Sequence, residues 1–111
     1  MKTTKIVIVI LLVALMQSCK PGKIRVQNNI SQVVITNVQW GDTYLAYELL
    51  PGETSSKQKV SDVPESNKIR FVMQANSQSI YLETEELYHL DHDDDLLIVL
   101  TDSTPVKNPN E

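Results

Sequence analysis

From Ile24 onwards, apolar and polar residues alternate in short runs, and turn-forming residues interrupt them about every 8–12 positions. A period of two predicts β-strands, and no stretch sustains a helical period of 3.6. The first strand covers 24–28 and closes on Asn28-Asn29. The second covers 32–40, with Ile30, Val34, Val38 and Trp40 on one parity, interrupted by Thr36. Gly41-Asp42 turns the chain into a third strand over 43–50, with Leu45, Tyr47 and Leu49 inward. Pro51-Gly52 is a turn, because proline presets φ and glycine accepts a positive φ after it. Thr54 to Val60 is polar and rich in Ser and Lys, which suits a sheet edge.

Pro64 to Asn67 reads as a loop. Over 68–75 the alternation is clean, with Ile69, Phe71, Met73 and Ala75 on one face and Arg70 and Gln74 on the other. Asn76-Ser77 turns the chain, and short strands follow over 79–83 and 86–90. Asp91 to Asp94 is an acidic turn. Leu96 to Leu100 is an unbroken apolar run, the pattern of a central strand buried on both faces. Pro105 and Pro109 predict a loose tail over 105–111. Seven or eight strands within 24–104 predict an all-β fold, a small antiparallel sandwich or barrel.

The start of the chain breaks this pattern. Lys2 and Lys5 lead into eleven uninterrupted apolar residues, Ile6 to Met16. A membrane span needs about 20. The apolar region of a secretory signal runs to about 7–15 behind a positive start. Gln17, Ser18 and Cys19 follow at once. The stretch Leu15-Met16-Gln17-Ser18-Cys19 resembles the cleavage motif of bacterial lipoproteins, a small residue ahead of a cysteine. Met16 and Gln17 depart from its commonest form, which has Leu three residues before the cysteine and Ala or Ser two before. The resemblance implies a signal peptide over 1–18, cleavage before Cys19, and a covalent diacylglyceryl/acyl lipid on Cys19, with the diacylglyceryl group on its thiol. A plain secretory signal would need two small residues at its cleavage site, and Met16-Gln17-Ser18 supplies one. Residues 19–23 then form a lipidated tether, broken by Pro21-Gly22. At about 0.8 kcal/mol per buried methylene, two or three chains hold a small domain on a bilayer almost permanently.

Removing 18 residues from 111 leaves 93, with eight Lys and Arg against fourteen acids, a charge of −6. A single Cys excludes an intrachain disulfide and a Cys-rich zinc site. Residues 20–70 carry seven basic and five acidic side chains, and residues 71–111 one basic and nine acidic. Lys20, Lys23 and Arg25 sit next to the lipid, either against anionic headgroups or as a solvated tether. An acidic, exported domain is a poor fit for nucleic acid. Trp40-Gly41, Leu49 to Ser55, and Asp91 to Asp95 leading into Leu96 to Thr101 and Asp-Ser-Thr-Pro are similar to small Bacteroidetes lipoproteins. That resemblance implies an immunoglobulin- or prealbumin-like sandwich and carries no activity with it. In such lipoproteins acids just after the cysteine mark export to the cell surface. Lys20-Pro21-Gly22-Lys23 has none, so the expected place is the outer membrane, facing the periplasm, with the cell surface as the alternative.

Alternate acids at Asp91, Asp93 and Asp95 match the first ligands of a calcium loop. Such a loop needs Gly sixth and Glu twelfth, where Leu96 and Asp102 stand. A non-standard calcium site is therefore weighed against a solubilising turn. His89 and His92, with Asp93, are a weaker candidate for a transition metal, since residues three apart on a strand do not share a face. Glu83 and Glu85 share a strand parity, but a glycosidase pair flanks a cleft at about 5–10 Å, and 93 residues leave little chain to build one. No Gly-x-Ser-x-Gly elbow occurs, so no enzyme is expected. Tyr44 and Tyr81 fall on outward parity and are the candidate ligand contacts, while Trp40 and Tyr47 fall on core parity. The expected function is a non-catalytic binding or scaffolding module with an envelope protein partner. The alternative is a glycan- or calcium-binding accessory domain.

Overall fold

Among the described residues ten strands carry the period-two pattern: β1 (Gly22–Asn29), β2 (Val34–Trp40), β3 (Thr43–Leu49), β4 (Gln58–Val60), β5 (Glu65–Asn67), β6 (Ile69–Ala75), β7 (Gln78–Thr84), β8 (Tyr88–Leu90), β9 (Asp95–Thr101) and β10 (Val106–Lys107). The structure, a computed structural model, describes residues 20–110. The expected signal peptide over 1–18 and the expected lipid attachment point, Cys19, lie outside the described residues.

The strands form a three-stranded sheet in the order β4-β1-β9, a five-stranded sheet in the order β10-β7-β6-β2-β3, and a two-stranded ribbon of β5 and β8. The two larger sheets face each other. Ile24 and Val26 of β1 and Ile98 and Leu100 of β9 meet Ile35, Val38 and Trp40 of β2 and Ile69 and Phe71 of β6 in one buried core. The molecule is therefore an all-β sandwich. Every pairing is antiparallel except β1 with β9, which run parallel from Lys23↔Asp95 to Asn29↔Thr101.

Several strand-level expectations change. In β2, Ile35 is fully buried and Val34 only half-buried. Asn37 adopts a φ of 50°, and the register slips between Thr36 and Gln39 against β6. One extra residue at this bulge flips the parity, so Ile35 points inward before it and Val38 and Trp40 after it. Tyr47, expected inward, is 73% exposed. It lies on β3, the outermost described strand of its sheet, between Leu45 and Leu49, which are buried.

The 96–100 run is not a central strand. β9 is the edge of its sheet, with β1 on one side and no described strand on the other. Only one of its faces enters the core, and Leu97 and Val99 on the other are 41% and 38% exposed. The expected loop at 64–67 contributes β5, which pairs with β8 from Glu65↔Leu90 to Asn67↔Tyr88. Within the expected loose tail, Val106 and Lys107 pair with Thr84 and Glu83 of β7.

Candidate functional site

The chain enters the sandwich at Lys20 and Pro21, and the acidic turn grips it there. The Asp93 N–H donates to the Pro21 carbonyl at 3.2 Å, His92 Nδ1 donates to the Lys20 carbonyl at 2.9 Å, and the Lys23 N–H donates to the Asp94 carbonyl at 2.8 Å. Lys20 Nζ lies 3.9 Å from Asp93. Gly22 lies so close to the turn that an added Cβ would sit 2.6 Å from Leu90 Cγ and 2.8 Å from the Asp91 carbonyl oxygen. A side chain would have to displace backbone here, so glycine is required by close approach.

The turn holds itself by its own carboxylates. Asp91 Oδ1 accepts from the His92 N–H at 2.7 Å and Asp94 Oδ2 from the Asp91 N–H at 2.9 Å, while Asp93 takes a φ of 62°, which Asp tolerates better than most residues. The structure does not bring Asp91, Asp93 and Asp95 together as one ligand set. Asp91 faces His89 at 3.8 Å, Asp93 faces Lys20, and Asp95 lies on β9 with Lys57 Nζ at 2.7 Å. Among the described residues no three His, Cys, Asp or Glu side chains converge to hold a metal. His89 and His92 also part: His89 Nδ1 shares a 2.7 Å hydrogen bond with Ser66 Oγ, and His92 is spent on the Lys20 carbonyl.

Glu83 and Glu85 do not flank a cleft. Glu83 lies between Lys68 at 3.6 Å and Lys107 at 3.9 Å, and Glu85 follows the end of β7. An apolar pocket of about 210 Å³ lies between the sheets, lined by Ile30, Phe71, Met73, Leu82, Leu100 and Val106. It is smaller than the roughly 300–1,000 Å³ of a usual small-molecule site. Asp102 at its rim binds the Ser31 hydroxyl at 2.6 Å and backbone N–H at 2.8 Å, and these bonds hold its carboxyl below the usual range.

Tyr44 and Tyr81 are both exposed, at 46% and 37%, but they stand on β3 and β7 with β2 and β6 between them. Three strand spacings are about 14 Å, so one small sugar ring cannot stack on both. Tyr44 instead shares an open groove of about 510 Å³ with Tyr47, Glu48 and Glu53. Core parity hides Tyr47 as a candidate contact, and its exposure on the outermost described strand brings it to this groove. No family model, curated protein or solved structure matches the chain.

Proposed function

We propose that the protein is a lipid-anchored module of a bacterial cell envelope that binds or scaffolds and carries out no chemistry, with Cys19 as the attachment point and the domain facing the periplasm. The observation that carries the reading is the order Lys2, Lys5, Ile6 to Met16, then Ser18-Cys19, directly ahead of a folded domain. The grip of the acidic turn on Lys20 and Pro21 supports it, because the fold begins firmly within three residues of the lipid. In cells fed labelled palmitate, the protein should carry label and begin at Cys19 by mass, and Cys19→Ser should carry none. An unlabelled protein, or label that survives Cys19→Ser, overturns the reading. In-cell crosslinking to one envelope protein would then identify the partner.

Two exposed tyrosines, Tyr44 and Tyr47, line the groove along β3, and this favours a second reading, an accessory domain that stacks a glycan. Calorimetric titration with envelope oligosaccharides should then give heat that Tyr47→Ala abolishes. Heat that survives the substitution, or none at all, removes that reading.

A further inference from the structure

The outer face of the three-stranded sheet differs in charge from the rest of the chain. Its registers set Lys59, Lys23 and Asp95 side by side across β4, β1 and β9, and set Arg25 beside Leu97 and Gln27 beside Val99. Lys57 reaches the same face to bond Asp95 at 2.7 Å. Four cations, one acid and two exposed apolar side chains therefore share one surface, on a chain whose net charge is −4.

Local structure does not neutralise this face. Asp95 serves both Lys57, at 2.7 Å, and Arg25, at 3.9 Å. The hydrogen bond from Lys57, with Arg25 and Lys23 nearby, holds the Asp95 carboxyl below its usual range. Lys23 and Lys59 stand directly opposite each other with no ion pair among the described residues, an arrangement that costs stability in a bare sheet. Arg25 Nε has no hydrogen-bond partner among the described residues. Three of the remaining nearby acids look elsewhere: Asp91 to His89, Asp93 to Lys20 and Asp94 to the backbone of its own turn.

We propose that this face docks on an anionic lipid bilayer, with Lys23, Arg25, Lys57 and Lys59 on headgroup phosphates and Leu97 and Val99 at the acyl boundary. Cations beside an exposed apolar strip, here β1 and β4 beside the edge strand β9, are the pattern of interfacial membrane binding. A soluble polyanion would engage the cations and leave Leu97 and Val99 in water. Position argues for the bilayer too. β1, the middle strand of this sheet, begins three residues after Cys19, a reach of about 11 Å at most. This last step rests on the lipid-anchor reading; the charge pattern does not.

The two readings can be tested apart with residues 20–111, which contain every strand and the whole core but not the lipid site. This chain should sediment with phosphatidylglycerol vesicles at low salt and not with phosphatidylcholine vesicles. At about fivefold per cation, Lys23→Gln with Lys59→Gln should weaken that binding about 25-fold. Leu97→Ser should weaken it further, and Lys107→Gln should leave it unchanged. Thermal melts confirm that the variants fold. Equal binding to both vesicles, no binding, binding to heparin alone, or indifference to the paired substitution would each overturn the proposal. None of these outcomes touches the palmitate result at Cys19.

Discussion

Trp40→Ala is expected to destabilise the domain by about 3–5 kcal/mol, the cost of emptying a large aromatic site in a packed core. Trp40 is fully buried, with Phe71, Ile69 and Val38 in the same core. Its indole N–H also donates to the Tyr88 carbonyl at 3.0 Å. That bond ties β2 to the β5-β8 ribbon, which among the described residues is joined to the two main sheets by no strand pairing. The substitution removes packing and leaves the Tyr88 carbonyl without its donor. Small domains have about 5–15 kcal/mol in all, so a large share of the stability is at stake. At about 4–8 °C per kcal/mol for a domain of this size, the melting midpoint should fall by at least about 12 °C. Trp40→Phe separates the two contributions, since it keeps most of the volume and loses only the hydrogen bond; its cost should be about 1–3 kcal/mol. Trp40 is the only tryptophan, so unfolding is followed by circular dichroism. A fall below about 1 kcal/mol for Trp40→Ala would show that the site collapses around the gap.

The core position of Trp40 is legible in the sequence, because it ends an apolar-polar run just before Gly41-Asp42. So are Ile69 and Phe71, where alternation is unbroken. The Pro51-Gly52 turn and the polar edge near Lys57 follow from turn chemistry and composition. The failures have a common cause: alternation reports two faces, but not what lies against each. Leu96 to Leu100 is apolar at every position, as a doubly covered strand would be. Its outer face instead joins Lys23, Arg25 and Lys59, residues that reach it only through pairing across more than thirty positions. Tyr47 has core parity, between buried Leu45 and Leu49 on the outermost described strand of its sheet, and is exposed all the same. Asn37, midway along β2 beside Thr36, is the one local signal for the bulge, since Asn enters the left-handed region more readily than its neighbours. Asp91, Asp93 and Asp95 look like metal ligands in a linear reading. In space the turn instead holds a segment some seventy residues away in the chain, with the Asp93 N–H on the Pro21 carbonyl and the His92 ring on the Lys20 carbonyl.

Asn28→Leu should cost a comparable amount for a different physical reason. An Asn-Asn pair reads locally as the end of a strand, yet Asn28 is fully buried. Its amide donates to the Val33 carbonyl at 2.8 Å and the Leu49 carbonyl at 3.0 Å, and its Oδ1 accepts from the Ile30 N–H at 3.1 Å. Its own backbone N–H donates to the Glu53 carbonyl at 2.9 Å. One side chain thus holds the end of β1, the entry to β2 and the end of β3, the three segments that join the two sheets at this end. Leucine is close in volume but leaves two carbonyls and an N–H without partners. At about 1–3 kcal/mol for each buried orphan, the total should reach about 3–6 kcal/mol. Asn28→Asp sharpens the test through its sign. A carboxylate there would face two carbonyl oxygens in a buried site, so its folded pKa is raised. The protonated acid can still donate one bond. Relative to the parent, this variant should therefore be least impaired below about pH 4 and lose stability as the pH rises above that. The lowered carboxyls of Asp95 and Asp102 give the parent the opposite slope, with stability lost as the pH falls through their folded values. Denaturant melts of both variants from acid to neutral pH measure the difference. A flat difference for Asn28→Asp, with Asn28→Leu close to the parent, would mean that water replaces the side chain and that the joint between the sheets does not depend on it.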